Sequence, residues 1–232
     1  MVVSPAARSR APVAALLVLA ATPVEAQRRN QEFTQQAILV ANFWVRGRDG
    51  KLPSTVRNDL RLGKDVGEWM RNRLKDLVNK RETKVIDGCD VREAIVRAGY
   101  AADFPFDLQE LRQQGEEFRT DEILRGVATR LPNDGLRLEA DLVLFRDLRM
   151  RQPIEPVVGT SFGRAVDELA KRVNAARVQL PHQRRCENSL RDGQGQRAIQ
   201  HAREAIAKYP RGVLARTCLM WALRATGAPV PQ

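Results

Sequence analysis

The chain has 232 residues, enough for one large domain or two small ones, each with its own core. Its formal net charge of +11 would suggest nucleic acid in a cytosolic protein. Apart from a short apolar stretch near the start, no segment approaches the ~20 apolar residues that span a bilayer, which predicts a soluble or peripheral mature protein.

The first 26 residues set the address. Arg8 and Arg10 give a positive start, and Ala11 to Ala21 (APVAALLVLAA) is an apolar run too short to cross a membrane. Pro23 then breaks the helix, and Val24-Glu25-Ala26 puts small residues at the two positions a signal peptidase reads. This pattern predicts a secretory signal cleaved after Ala26, leaving Gln27 to Gln232 as a periplasmic or secreted protein. No cysteine follows the cut, so the pattern is not that of a lipid-anchored lipoprotein. Cleavage lowers the net charge only to about +10. Outside the cytosol that charge points to anionic lipid, acidic glycan or an acidic protein, and not to nucleic acid. Arginine is nevertheless scattered over every predicted helix, as on an ordinary solvated surface.

Gln27 to Gln35 reads as a short polar tether. Gln36 to Val45 (QAILVANFWV) is a continuous β-favouring run, the pattern of a strand buried on both faces. Gly47 to Thr55 is a loop. Asp59 to Val78 is the clearest helix, with Leu62, Val66, Trp69, Met70, Leu74 and Leu77 on one apolar stripe. Thr83 to Ile86 is a short strand, Asp90 caps a helix ending at Gly99, and Asp107 opens another reaching Phe118. Asp121 to Leu131 and Leu136 to Phe145 form a hairpin around Asn133-Asp134-Gly135, residues that accept positive φ. Pro153 and Pro156 end this unit, and Gln152 to Thr160 reads as a linker. Helical periodicity then holds to the end, over Phe162 to Val173, Gln183 to Arg191, Gln196 to Lys208 and Val213 to Ala225. The order predicts a small mixed-sheet α/β domain with covering helices over residues 36–155. An all-α helical-hairpin tail follows over residues 161–232.

Two resemblances extend this reading. The tail resembles a tetratricopeptide repeat: Ala198, Ala205 and Pro210 match the small residues and closing proline of its second helix. Cys186 takes the small-residue position of the first helix, and Leu219 the corresponding leucine of the next repeat. Only about one and a half repeats are present, short of the three that usually stand alone. Ile38 to Phe43, Leu62 to Leu77, Asp121 to Val127 and Gly135 to Asp147 resemble, in order and pattern, the TolB amino-terminal domain family. Such domains precede tetratricopeptide arrays, so the resemblance implies assembly or signalling, not chemistry. The repeat resemblance also implies that Gln183, Glu187, Arg191, Trp221 and Arg224 face a protein partner, with Trp221 as anchor. It places Cys186 and Cys218 on neighbouring helices and implies a disulfide between them, which export permits. Cys89 is then the free thiol.

Candidate chemistry is sparse. His182, Cys186 and His201 are metal-ligand types at helical spacing, but no carboxylate supports them in sequence, so no metal is expected. Cys89 between Asp87 and Asp90 is no nucleophile, because carboxylates raise a thiol's pKa. Gly47 to Lys51 lacks the phosphate-loop spacing, and GxSxG and HExxH are absent. Glu139 and Asp141 read as cross-strand partners of arginines. The sequence therefore predicts a non-enzymatic, cofactor-free interaction or assembly component of the bacterial envelope. The alternative is a basic protein that binds anionic lipid or glycan surfaces. Mass spectrometry of the mature protein is expected to show an amino terminus at Gln27; intact Met1 in soluble cytoplasm would refute export.

Overall fold

The computed structural model describes residues 35–47, 50, 52, 56–132 and 135–229. The predicted signal, all of the tether but Gln35, and turn residues Asn133 and Asp134 lie outside them.

The first apolar run forms two strands, β1 (Gln36–Val40) and β2 (Trp44–Arg46), where a single strand is predicted. The break at Ala41–Phe43 is made by hydrogen bonding. The Asn42 amide donates to the carbonyls of Ala102 and Phe104 at 3.3 and 3.2 Å, and the Phe43 N–H donates to the Gly63 carbonyl at 3.0 Å. A Cβ at position 63 would collide with the Phe43 carbonyl, so glycine there lets the next helix reach the break. That helix, α1 (Arg57–Leu77), buries Val66, Met70 and Leu74 as its period requires. Trp69 and Leu77 depart from the expected core stripe. Trp69 is 42% exposed and rests edge-on against Phe162, with ring centroids 5.3 Å apart.

Strand β3 (Thr83–Val85) leads into α2 (Gly88–Arg97), which starts ahead of the predicted Asp90 cap because Asp87 is the N-cap. Gly99 lies just past its end at φ +85°, the left-handed conformation that favours glycine. The following helix, α3 (Leu108–Glu117), opens on a reciprocal capping box between Asp107 and Glu110. The hairpin forms as predicted: β4 (Glu122–Arg130) pairs antiparallel with β5 (Leu136–Leu144).

The predicted linker at Gln152 to Thr160 is instead most of a strand, β6 (Asp147–Gly159), paired antiparallel with β5. Its prolines are tolerated because β6 is an edge strand, where a missing N–H breaks no second ladder. A register shift between Leu138 and Ala140 takes up the extra residue beside Pro156.

The sheet runs β3-β1-β4-β5-β6, with β2 also beside β4; β1 is parallel to β3 and β4, and β2 to β4. Side chains alternate between its two faces. Ile38 and Val40 join Val66, Met70 and Leu74 in one core, while Ala37 and Leu39 pack with Val91, Ile95 and Leu111 on the other face. This is a mixed-sheet α+β fold with covering helices, followed by a helical tail.

Helix α4 (Phe162–Arg177), assigned by pattern to the tail, is the second cover of the first face. Val166, Leu169, Ala170 and Val173 lie in the same core as Leu138 and Leu142. Its last residue closes the sheet. Arg177 holds Glu122 of β4 through two hydrogen bonds of 2.6 and 3.2 Å and donates to the Thr83 hydroxyl of β3 at 3.0 Å. Both charged side chains are almost wholly buried. Removing one partner of such a pair leaves an uncompensated buried charge, a loss of about 3–5 kcal/mol. Arg177→Met is therefore expected to lower the unfolding free energy by that amount, read as a lower urea midpoint, and Arg177→Met with Glu122→Leu to recover most of it. A wild-type midpoint for the single variant would show that the pair contributes nothing.

Candidate interaction surface

The tail proper consists of α5 (Leu180–Arg191), α6 (Gly195–Lys208) and α7 (Val213–Ala225). Pro181 starts the first, the positive-φ Gly193 turns the chain after it, and Pro210 prevents α6 from continuing. Their shared core is built of small residues: Ala198, Ala202, Ala222, Cys186 and Cys218, with Ile199 and Leu223. Small side chains let the helices approach closely but bury little apolar area. The disulfide compensates. Cys186 of α5 and Cys218 of α7 are bonded, with Cα atoms 6.4 Å apart, while Cys89 is free and exposed.

The tail does not stand apart from the sheet. Leu180 and Leu214 belong to the sheet's own core. Two buried glutamines then satisfy the start of α7. Gln152 of β6 accepts from the Val213 N–H at 2.7 Å, Gln179 accepts from the Ala215 N–H at 3.3 Å, and the Gln179 amide donates to Gln152 at 3.1 Å. These groups would otherwise be among the orphan donors of a helix N-terminus.

This docking decides where the five predicted partner residues lie. Gln183 is only 1% exposed, and its side-chain oxygen accepts from Arg146 of the β5–β6 turn at 2.8 Å. Glu187 pairs with the same Arg146 at 2.5 Å, and Gln183 also donates to Glu187. Arg146 thus closes that face of α5 from within the chain. Arg184 adds a second clamp to Asp121 at 3.0 Å. Arg191 is exposed and donates to Asn188 at 2.7 Å. Trp221 and Arg224 lie on the outer side of α7, and Trp221 is 39% exposed.

Val213, Met220 and Trp221 form an exposed apolar stripe along α7, with Arg216 and Arg224 also exposed and no acidic residue in the helix. From Leu180 to Pro229 the chain carries nine Arg or Lys and three Asp or Glu. A second concavity lies on the sheet face that α2 and α3 leave uncovered. This open groove of about 570 Å³ is lined by Trp44, Leu52, Arg125, Glu139, Asp141 and Pro153. Arg125 and Asp141 are directly paired across β4 and β5 and approach to 3.7 Å, whereas Glu139 bonds Arg137 of its own strand at 2.7 Å.

The histidines converge on a carboxylate. Glu204 of α6 lies 3.0 Å from His182 Nδ1 and 3.3 Å from His201 Nδ1. Hydrogen bonds from His201, then His182, hold its carboxyl below the usual carboxylate range. Cys186 is committed to its disulfide, and among the described residues no group of three His, Cys, Asp or Glu could hold a metal. The sequence reading missed Arg146, Gln152 and Gln179. A glutamine or arginine looks alike in sequence whether it caps a buried helix or faces water.

No protein-family model and no curated protein matches the chain. Among solved structures it is similar to the LpoB C-terminal domain from Salmonella enterica, at 15% identity and a TM-score of 0.35 over 59% of this chain and 91% of that one. It is also similar to the PelC dodecamer from Paraburkholderia phytofirmans, at 8% identity and 0.37 over 60% and 86%. A third likeness is lipoprotein GNA1162 from Neisseria meningitidis, at 13% and 0.34 over 53% and 77%. At these scores the likenesses carry no weight for function.

Non-reducing peptide mapping is expected to give one linked peptide containing Cys186 and Cys218, with Cys89 open to alkylation. The loop between the bonded cysteines spans 32 positions, so Cys218→Ser is expected to destabilise the tail by roughly 3 to 4 kcal/mol on the chain-entropy model. Three free thiols in protein taken from the envelope would refute the pairing.

Proposed function

We propose that this chain is an exported, non-enzymatic component of the bacterial envelope that works by binding another protein, and that the outer face of α7 is its docking surface. The observation that carries this reading is the exposed stripe of Val213, Met220 and Trp221 on a helix whose opposite side is buried. Its occupant is an amphipathic helix with an apolar ridge and flanking Asp or Glu. Arg216 and Arg224 lie beside the stripe, and the tail's excess of basic residues favours an acidic partner. Trp221 is the anchor, as a large amphipathic side chain that loses little entropy on binding.

The predicted signal supports export, and the element order supports a domain of the TolB amino-terminal kind joined to a truncated tetratricopeptide-like tail. The division into residues 36–155 and 161–232 is one of sequence pattern; α4 contributes to the sheet core, and the tail of three small-residue helices starts at Leu180.

The overall charge favours a second reading, adhesion to anionic lipid or glycan. Much of the arginine is already engaged, however: Arg73 with Asp167, Arg130 with Asp59, Arg146 with Glu187, Arg172 with Glu168 and Arg184 with Asp121. Salt separates the readings, since adhesion of exposed charges weakens steeply with ionic strength and an apolar contact does not.

Site-specific photo-crosslinking in the envelope tests the docking surface. A photoreactive residue at 221 is expected to give one discrete protein adduct that survives high salt, with none from exposed position 207 on α6. The adduct is expected to map to an acidic amphipathic helix. Trp221→Ala is expected to weaken binding of that partner by tenfold or more, in line with hot-spot losses of about 2 kcal/mol. Adducts with lipid alone, or equal yields from 221 and 207, would overturn the proposal.

A further inference from the structure

One cation in this fold is buried with no ion pair among the described residues. Arg71 of α1 is 2% exposed and has no carboxylate within ion-pair distance among the described residues. Its Nη1 donates to the Val40 carbonyl at 2.6 Å, at the point where β1 outruns its partner β3, and its Nε has no partner. Burial pulls the guanidinium down to about 10 from its ordinary value. A buried charge held only by a carbonyl is costly unless something of opposite sign compensates it.

The unpartnered Nε faces the start of α2. It lies 3.3 Å from where a Cβ on Gly88 would stand, and Gly88 is the first residue of that helix. The helix is also uncapped. Asp87 is its N-cap residue, but the carboxylate is drawn away to Lys75 and accepts no bond from the helix. The first N–H of α2 with an acceptor in the chain is that of Val91, to the Asp87 carbonyl at 3.1 Å. The N–H groups of Gly88, Cys89 and Asp90 are left open beside the arginine. Gly88 is partly exposed and the next two residues are exposed, so the helix end borders solvent, while Arg71 Nε is buried beneath it. Both β1 and β3 end here and run parallel, the end of such a sheet at which ligands bind.

We propose that Arg71 and the N-terminus of α2 form a binding site for a phosphate group, either free or at the end of a larger molecule. The open amides and the positive end of the helix dipole supply the donors, and the buried Arg71 guanidinium adds a positive charge beneath them. This arrangement suits a tetrahedral oxyanion with several acceptor oxygens. Arg92, in the first turns of α2, adds a second positive charge felt at Arg71. Of the nearby carboxylates, Asp87 is paired with Lys75, Glu68 partly offsets the Arg71 charge and lies 3.9 Å from Lys64, and Asp90 accepts from the Cys89 thiol at 3.7 Å. Glycine at 88 is then a functional choice, because a side chain there would fill the space beside Nε.

The test is an NMR titration of the full mature chain with inorganic phosphate, with chloride at matched ionic strength as control. Saturable shifts confined to the amides of Gly88, Cys89 and Asp90 and to Arg71 Nε are expected. Arg71→Met is expected to weaken binding at least tenfold. Gly88→Ala, which keeps the arginine and needs no unusual backbone angle, is expected to do the same by crowding, so the test survives if the arginine variant fails to fold. Glycerol phosphate and vesicles of phosphatidic acid separate the sources. Saturation by glycerol phosphate without vesicle capture assigns a soluble ligand, and capture lost in Gly88→Ala assigns a lipid headgroup. Shifts scattered over the surface and equal with chloride, or unchanged affinity in both variants, would overturn the proposal.

Discussion

The buried pair of Arg177 and Glu122 is the contact on which the rest of the arrangement hangs. It joins the last turn of α4 to the first residue of β4 and, through Thr83, to β3. Three elements far apart in sequence are thereby registered at one end of the sheet. The position of α4 then sets the start of α5, which follows after Val178 and Gln179. An apolar contact would bury as much area, but would not select one rotation of α4. A guanidinium fork with two carboxylate bonds and a hydroxyl bond has one satisfactory geometry.

The tail inherits its order from that point. Its own core of alanines, two cysteines, an isoleucine and a leucine is too small to hold three helices with much margin. The disulfide narrows the unfolded ensemble. The Gln152–Gln179 pair gives the start of α7 its hydrogen-bond acceptors from β6 and from the junction of α4 and α5. Buried amides of this kind act as an all-or-none device, since each is costly if unpaired and only one docking position pairs both. The outer side of α7 is consequently presented in a fixed orientation, which lowers the entropy cost of any partner's binding.

Part of the charge in this protein is structural in use. Arginines bridge α1 to α4, the β5–β6 turn to α5, and α5 to the residue before β4. Arg71 differs from these, buried against a carbonyl and a helix end with no carboxylate within ion-pair distance among the described residues.

Helix periods, caps and turns are local, and the sequence determined them by itself. The stripe of Val66, Met70 and Leu74, the Asp107 cap, the two hairpin strands before and after Gly135 and all four helices after residue 160 were legible from spacing alone. The tertiary structure decided what depends on neighbours. Pro153 and Pro156 looked like terminators but lie within an edge strand, because only the sheet order shows that the second ladder is absent. Trp69 lies outside the core, where it rests edge-on against Phe162 of a distant helix. Gln183 and Glu187 looked like a partner-facing row and are instead closed by Arg146, 37 residues before Gln183. A polar side chain carries no mark in sequence of whether water, a partner or its own chain will satisfy it; that is decided by which distant group packing brings within about 3 Å.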